Sequence, residues 1–116
     1  MSMPMEPPAV DAATFAELQA TAGDDFVREL VDTFLEEAPP MLERLRAALA
    51  AADAESFRRT AHSLKSNSLT FGALPLAALA RELELQGLAA ARPEALDALA
   101  AEYARAAAAL KALRDG

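Results

Sequence analysis

The chain has 116 residues, with 18 acidic against 11 basic side chains (net charge -7 at pH 7), no cysteine and a single histidine. That inventory excludes thiol chemistry, disulfides and the usual Cys/His zinc sites, and the acidic balance argues against nucleic acid or an anionic membrane as the main partner. The N-terminus has no basic region leading into an apolar stretch, and nowhere does an apolar run approach the roughly 18 residues of a membrane span, so a cytoplasmic protein is expected.

A chain of this size suits one domain. Many alanines, few aromatics and sparse β-branched residues favour helix throughout. Residues 1–10, rich in proline and methionine, read as a loose tail, and 11–116 as the domain. Asp11 is placed to cap a short helix to about Ala22, with Phe15 and Leu18 as its apolar side and Gly23 as its end. From Asp24 the apolar residues Phe26, Val27, Leu30, Val31, Phe34, Leu35, Met41, Leu42, Leu45 and Leu49 keep to one half of a helical wheel, across Pro39-Pro40. This predicts one long helix to about Ala52, bent at the prolines with the lost hydrogen bonds facing water; the competing reading is a break there. Asp53 caps the next helix, which runs to about Phe71 with Gly72 as its stop. Pro75 opens a helix with Leu76, Leu79 and Leu83 on one face and Gly87 at its end. After Arg92-Pro93, Leu96, Leu99, Tyr103, Ala106, Leu110 and Leu113 trace the seam of a last helix. The predicted fold is all-α, an antiparallel four-helix bundle with an additional short N-terminal helix as a lid.

The helix from 53 to 71 is the one with chemical character. Phe57, Ala61, Leu64, Ser68 and Phe71 repeat at helical spacing and define its inner face. With Phe57 as zero, His62 falls at about 140° and points outward. Arg58 and Arg59 flank it one turn before, Lys65 and Ser66 one turn after. From Ser56 to Ala73 there is no acidic residue, so a local positive potential is expected. An imidazole, with a pKa of about 6.5 in water, is largely neutral near pH 7 and is a competent nucleophile. Phosphoryl transfer asks for little else than an in-line nucleophile and positive charge at the equatorial oxygens. A lone histidine on a helix is nevertheless more often an ordinary surface residue, and the residues by themselves reach an anion site and no further.

The run Ala61-His-Ser-Leu-Lys-Ser-Asn-Ser-Leu-Thr-Phe-Gly-Ala73 resembles the signature of the histidine-containing phosphotransfer (HPt) family, matching it at His62, Leu64, Lys65, Ser68, Gly72 and Ala73. The Phe34 to Pro39 stretch, the helix start from Asp53 to Arg59 and the segment Leu83 to Gly87 also look like that family, so the resemblance spans about residues 12–113. It implies a phosphorelay intermediate that accepts a phosphoryl group on His62, through Nε2, from a receiver-domain aspartyl phosphate and passes it to another receiver aspartate. Lys65 would steady the phosphoryl oxygens, with Arg58 and Arg59 as further candidates. Such a protein is a phosphocarrier rather than an enzyme and has no cofactor or metal of its own, magnesium arriving with the receiver. Its partners would be response-regulator receivers or a hybrid sensor histidine kinase, met by a monomer through apolar surface near His62 that includes Leu69.

Three departures stand out. Ser66 replaces the usual glycine one turn after the histidine, and either crowds the approaching phosphoryl group or donates a hydrogen bond to it. Asn67 is likewise larger than usual. Glu84 lies where some members place a glutamine that orients the imidazole: a carboxylate there either fixes the ring through Nδ1 or opposes a nearby phosphate. The dimerisation part of a histidine kinase is a competing reading, opposed by Ser63 in place of the acid that follows the histidine in those enzymes and by the lack of room for an ATP-binding domain. A structural or adaptor bundle with an incidental His62 is the other.

Overall fold

The computed structural model describes residues 7–116 and is all-helical, with no strand among them. The elements are α1 (Ala12–Ala22), α2 (Asp24–Ala51), α3 (Ala54–Thr70), α4 (Leu74–Gln86) and α5 (Pro93–Asp115), with a short 3₁₀ turn at Leu88–Ala90 between the last two. α3 packs against α2 and α4, α5 against the same two helices, and α1 lies on α2. None of the described helices is long and apolar enough to cross a membrane.

α2 runs unbroken through Pro39 and Pro40, both exposed, as the persistent wheel phase predicts. A proline inside a helix costs about 3 kcal/mol, and each large apolar side chain fully buried returns roughly 1.5–3 kcal/mol. Continuing past the prolines buries Leu45 and Ala48 and packs Met41, Leu42 and Leu49 against the core, which outweighs the break. Phe26, assigned to the inner half of the wheel, is 52% exposed: it stands at the edge of that half, about 100° round the helix from the buried Val27.

The expected tail needs correction at its inner end. Residues 1–6 of that stretch lie outside the described residues, but Ala9 and Val10 are buried and Val10 belongs to the main core. Val10 directly precedes the Asp11 N-cap and Phe15 lies in the first full turn, the two positions of a hydrophobic staple. Asp11 accepts from the Thr14 backbone N–H at 3.1 Å, and its own N–H donates to the Gly72 carbonyl at 2.8 Å, fastening the start of α1 to the turn after α3. Gly72 is more than a helix stop. Its φ is +75°, and a Cβ there would lie 2.7 Å from Thr14 Cβ. Beside it, Phe71 stacks obliquely on Phe34 of α2 with ring centroids 5.3 Å apart.

α3 follows its predicted register. Phe57, Ala61, Leu64, Ser68 and Phe71 are all buried, and the buried Ser68 hydroxyl donates to the Leu64 carbonyl at 2.7 Å, which lets a polar residue occupy the inner face. Asp53 caps the helix by accepting from Ser56 N–H at 3.1 Å. With the inner face fixed, the residues around position 62 face outward.

Candidate functional site

His62 projects from the middle of α3 with its side chain 54% exposed. Its Nδ1 lies 2.6 Å from Oε2 of Glu84, which α4 brings across from the next helix. Position 84 is held there by its neighbour Leu83, which is buried in the core. A carboxylate can only accept, so this contact places the proton on Nδ1 and leaves the Nε2 lone pair free on the outward side of the ring.

Glu84 does more than orient the ring. Its other oxygen, Oε1, lies 2.8 Å from Lys65 Nζ in an ion pair, at an angle that falls short of an aligned hydrogen bond, so this buried oxygen keeps unused acceptor capacity. One carboxylate thus engages both the histidine and the lysine one turn along. The ammonium of Lys65 foremost, helped by the His62 ring, holds the Glu84 carboxyl below its ordinary value near 4.5, against the partial burial that pushes it up. The Glu84 and Lys65 side chains are respectively 15% and 22% exposed, which sets the pair beneath the more open imidazole.

The ring of unopposed cations expected around His62 is therefore corrected. Lys65 is neutralised by a residue that lies outside the acid-free stretch of sequence but inside the site. Arg58 and Arg59 are exposed and form no hydrogen bond or ion pair with the imidazole; Arg59 pairs loosely with Glu55 at 3.5 Å. Ser66 is exposed, with no partner for its hydroxyl among the described residues, and its carbonyl accepts from the Thr70 hydroxyl at 3.2 Å. Leu69 and Leu74 are each 48% exposed on the Lys65 side, where with Ala78 and Arg81 they border a shallow cleft. Leu74 and Arg81 escaped the sequence reading because their approach to Lys65 depends on how α4 packs on α3; Glu84 was singled out, but its second contact was not. No cluster of three or more His, Asp or Glu residues suited to a metal ion occurs among the described residues.

The site is thus an exposed imidazole on a helical scaffold, held at Nδ1 by a carboxylate that also engages the lysine one turn along. The family model of the Hpt domain matches residues 29–109, and the chain belongs to this family, whose members are phosphocarriers in phosphorelay signalling rather than kinases. Among solved structures, the chain is similar to histidine-containing phosphotransfer protein B (HptB) from Pseudomonas aeruginosa PAO1, with 34% identity over 95% of this chain and 97% of the other, and a TM-score of 0.85. The search of curated proteins finds no match.

Proposed function

We propose that this protein is a phosphorelay intermediate that accepts a phosphoryl group on Nε2 of His62 from the aspartyl phosphate of a receiver domain and passes it to the aspartate of another. The observation that carries this reading is the 2.6 Å contact between His62 Nδ1 and Glu84, which orients an exposed imidazole with its nucleophilic nitrogen outward. In the acceptance step the Nε2 lone pair attacks phosphorus in line, the bond from phosphorus to the donor carboxylate oxygen breaks, and the donor aspartate leaves with the electron pair. The Nδ1 proton stays in its hydrogen bond to Glu84, which disperses the positive charge that develops on the ring. Donation reverses these steps with a second receiver.

Lys65 supplies positive charge to the phosphoryl oxygens by turning from Glu84 towards the incoming group, with Arg58, Arg59 and the Ser66 hydroxyl at the rim as further donors. Magnesium enters with the receiver, and this chain holds no cofactor. The partners are response-regulator receivers or a hybrid sensor histidine kinase, and the exposed Leu69 and Leu74 suit the small apolar contact of a transient encounter. We read α2 to α5 as an antiparallel four-helix bundle with α1 as its lid, since the four helices pack as a closed ring joined by short turns, and the protein as a monomer.

Incubation with a panel of phosphorylated receiver domains tests this reading. Acid-labile, base-stable label is expected on the wild type and none on His62→Gln. Label retained by the variant would remove His62 as the carrier, and no label from any receiver would favour an adaptor bundle.

A further inference from the structure

Next to His62, on the side away from Lys65, α2 and α3 leave an open cleft of about 340 Å³ lined by Arg44, Ser56, Arg59, Thr60 and Ser63. Every side chain in this lining can donate a hydrogen bond and none is acidic. Thr60 is 8% exposed and its hydroxyl makes no hydrogen bond among the described residues, and those of Ser56 and Ser63 make none there either. On the same helix Ser68 and Thr70 satisfy theirs on the carbonyls four residues back, so the helix does not prevent it. The Thr60 hydroxyl is not itself a buried unpaired atom: it reaches solvent, and the cleft that Thr60 lines is where it can meet a ligand.

The charges point the same way. Arg44 forms no ion pair among the described residues; Glu36 and Glu37 border its far side, in an adjoining cleft, beyond ion-pair distance. Arg59 is held only by the exposed contact to Glu55 at 3.5 Å, a kind of pair that contributes little and yields readily. In a chain of net charge -7, two guanidinium groups from neighbouring helices converge on one cleft with so little to oppose them.

We infer that this cleft is a second anion site, beside the phosphoacceptor and sharing Arg59 with its rim, that binds a tetrahedral phosphate group, free or esterified. Two guanidinium forks and three hydroxyls provide more donors than the two oxygens of a carboxylate can use, and match the three or four acceptor oxygens of phosphate. The site does not depend on phosphorylation of His62.

Inorganic phosphate and phenyl phosphate, titrated separately at constant ionic strength into ¹⁵N-labelled His62→Gln protein, provide the test. Saturable shifts are expected in the amides of 56–63 and around Arg44. Arg44→Ala should weaken binding roughly tenfold, as expected for loss of a charge-assisted hydrogen bond. Thr60→Val, close in shape, should weaken it severalfold, and unchanged circular dichroism should show both variants folded. Equal affinity for the two probes would assign the site to the free ion, and tighter binding of phenyl phosphate to an esterified group. Shifts that never saturate, that ignore Arg44→Ala, or that centre on Lys65 instead would overturn the inference.

Discussion

The hydroxyl of Tyr103 donates to the carbonyl of Leu35 across 3.4 Å, from α5 to α2. Leu35 is four residues before Pro39, whose missing N–H deprives that carbonyl of its helical partner. The Tyr103 ring, inclined against Phe34 with centroids 6.0 Å apart, is positioned to reach it. One consequence of the first proline is thus met by another helix, whereas the Glu36 carbonyl opposite Pro40 belongs to an exposed residue that water can serve.

Tyr103→Phe should therefore lower stability by about 0.5–1 kcal/mol in urea unfolding, the range for a single neutral hydrogen bond. In a Pro39→Ala background the restored N–H at position 39 takes the Leu35 carbonyl, and the effect should shrink towards zero. Equal losses in the two backgrounds would show that the hydroxyl contributes independently of the proline.

Glu84→Ala should slow phosphoryl acceptance by roughly 10- to 100-fold, the scale of losing a positioned reactant geometry. Glu84→Gln should retain much of the rate, because its carbonyl oxygen can still accept from Nδ1 while the Lys65 ion pair is lost. Single-turnover transfer from a phosphorylated receiver measures both. A full rate in Glu84→Ala would mean that the imidazole needs no tether.

The pH dependence of stability carries a definite sign. Folding lowers the Glu84 pKa below 4.5, so the unfolded chain binds more protons in acid. The contribution is complete above that value and is lost as pH falls through the lower native one. Asp11 acts in the same direction, lowered from 3.8 by the Thr14 hydroxyl and then by the Thr14 N–H. Urea midpoints should fall below about pH 4.5 and fall less steeply in Glu84→Gln. Parallel acid limbs would exclude Glu84 as a source.

Gly72→Ala should be strongly destabilising. A left-handed backbone costs a residue with a Cβ roughly 1–2 kcal/mol, and here the added carbon also meets Thr14 Cβ at 2.7 Å. Thermal unfolding should register the loss, while Gly23→Ala, whose added Cβ would meet no neighbouring atom within 4 Å, should suffer the backbone cost without the clash.

What the sequence revealed depended on whether a feature was local. The inner face of α3 and the continuity of α2 across its prolines follow from helical periodicity, which each segment carries within itself. The bridge from Glu84 to both His62 and Lys65 joins helices whose relative rotation no single segment encodes, so the resemblance pointed to the ring contact while the lysine contact stayed hidden. Tyr103 was legible as a seam residue but not as a donor to α2, for the same reason. Val10 is different: an apolar residue just before a capping aspartate, with Phe15 following at the staple position, is a local signal that the proline-rich composition of the first ten residues obscured.

The hydrogen bond from Asp11 to Gly72 makes an early element of the chain depend on a later one. α1 precedes α3 in the sequence, yet part of its seat is the turn that follows α3, so that hydrogen bond can form only once α3 and its turn are present. Shortening the chain from its far end to within α3 would therefore loosen α1 as well, although α1 itself would be intact.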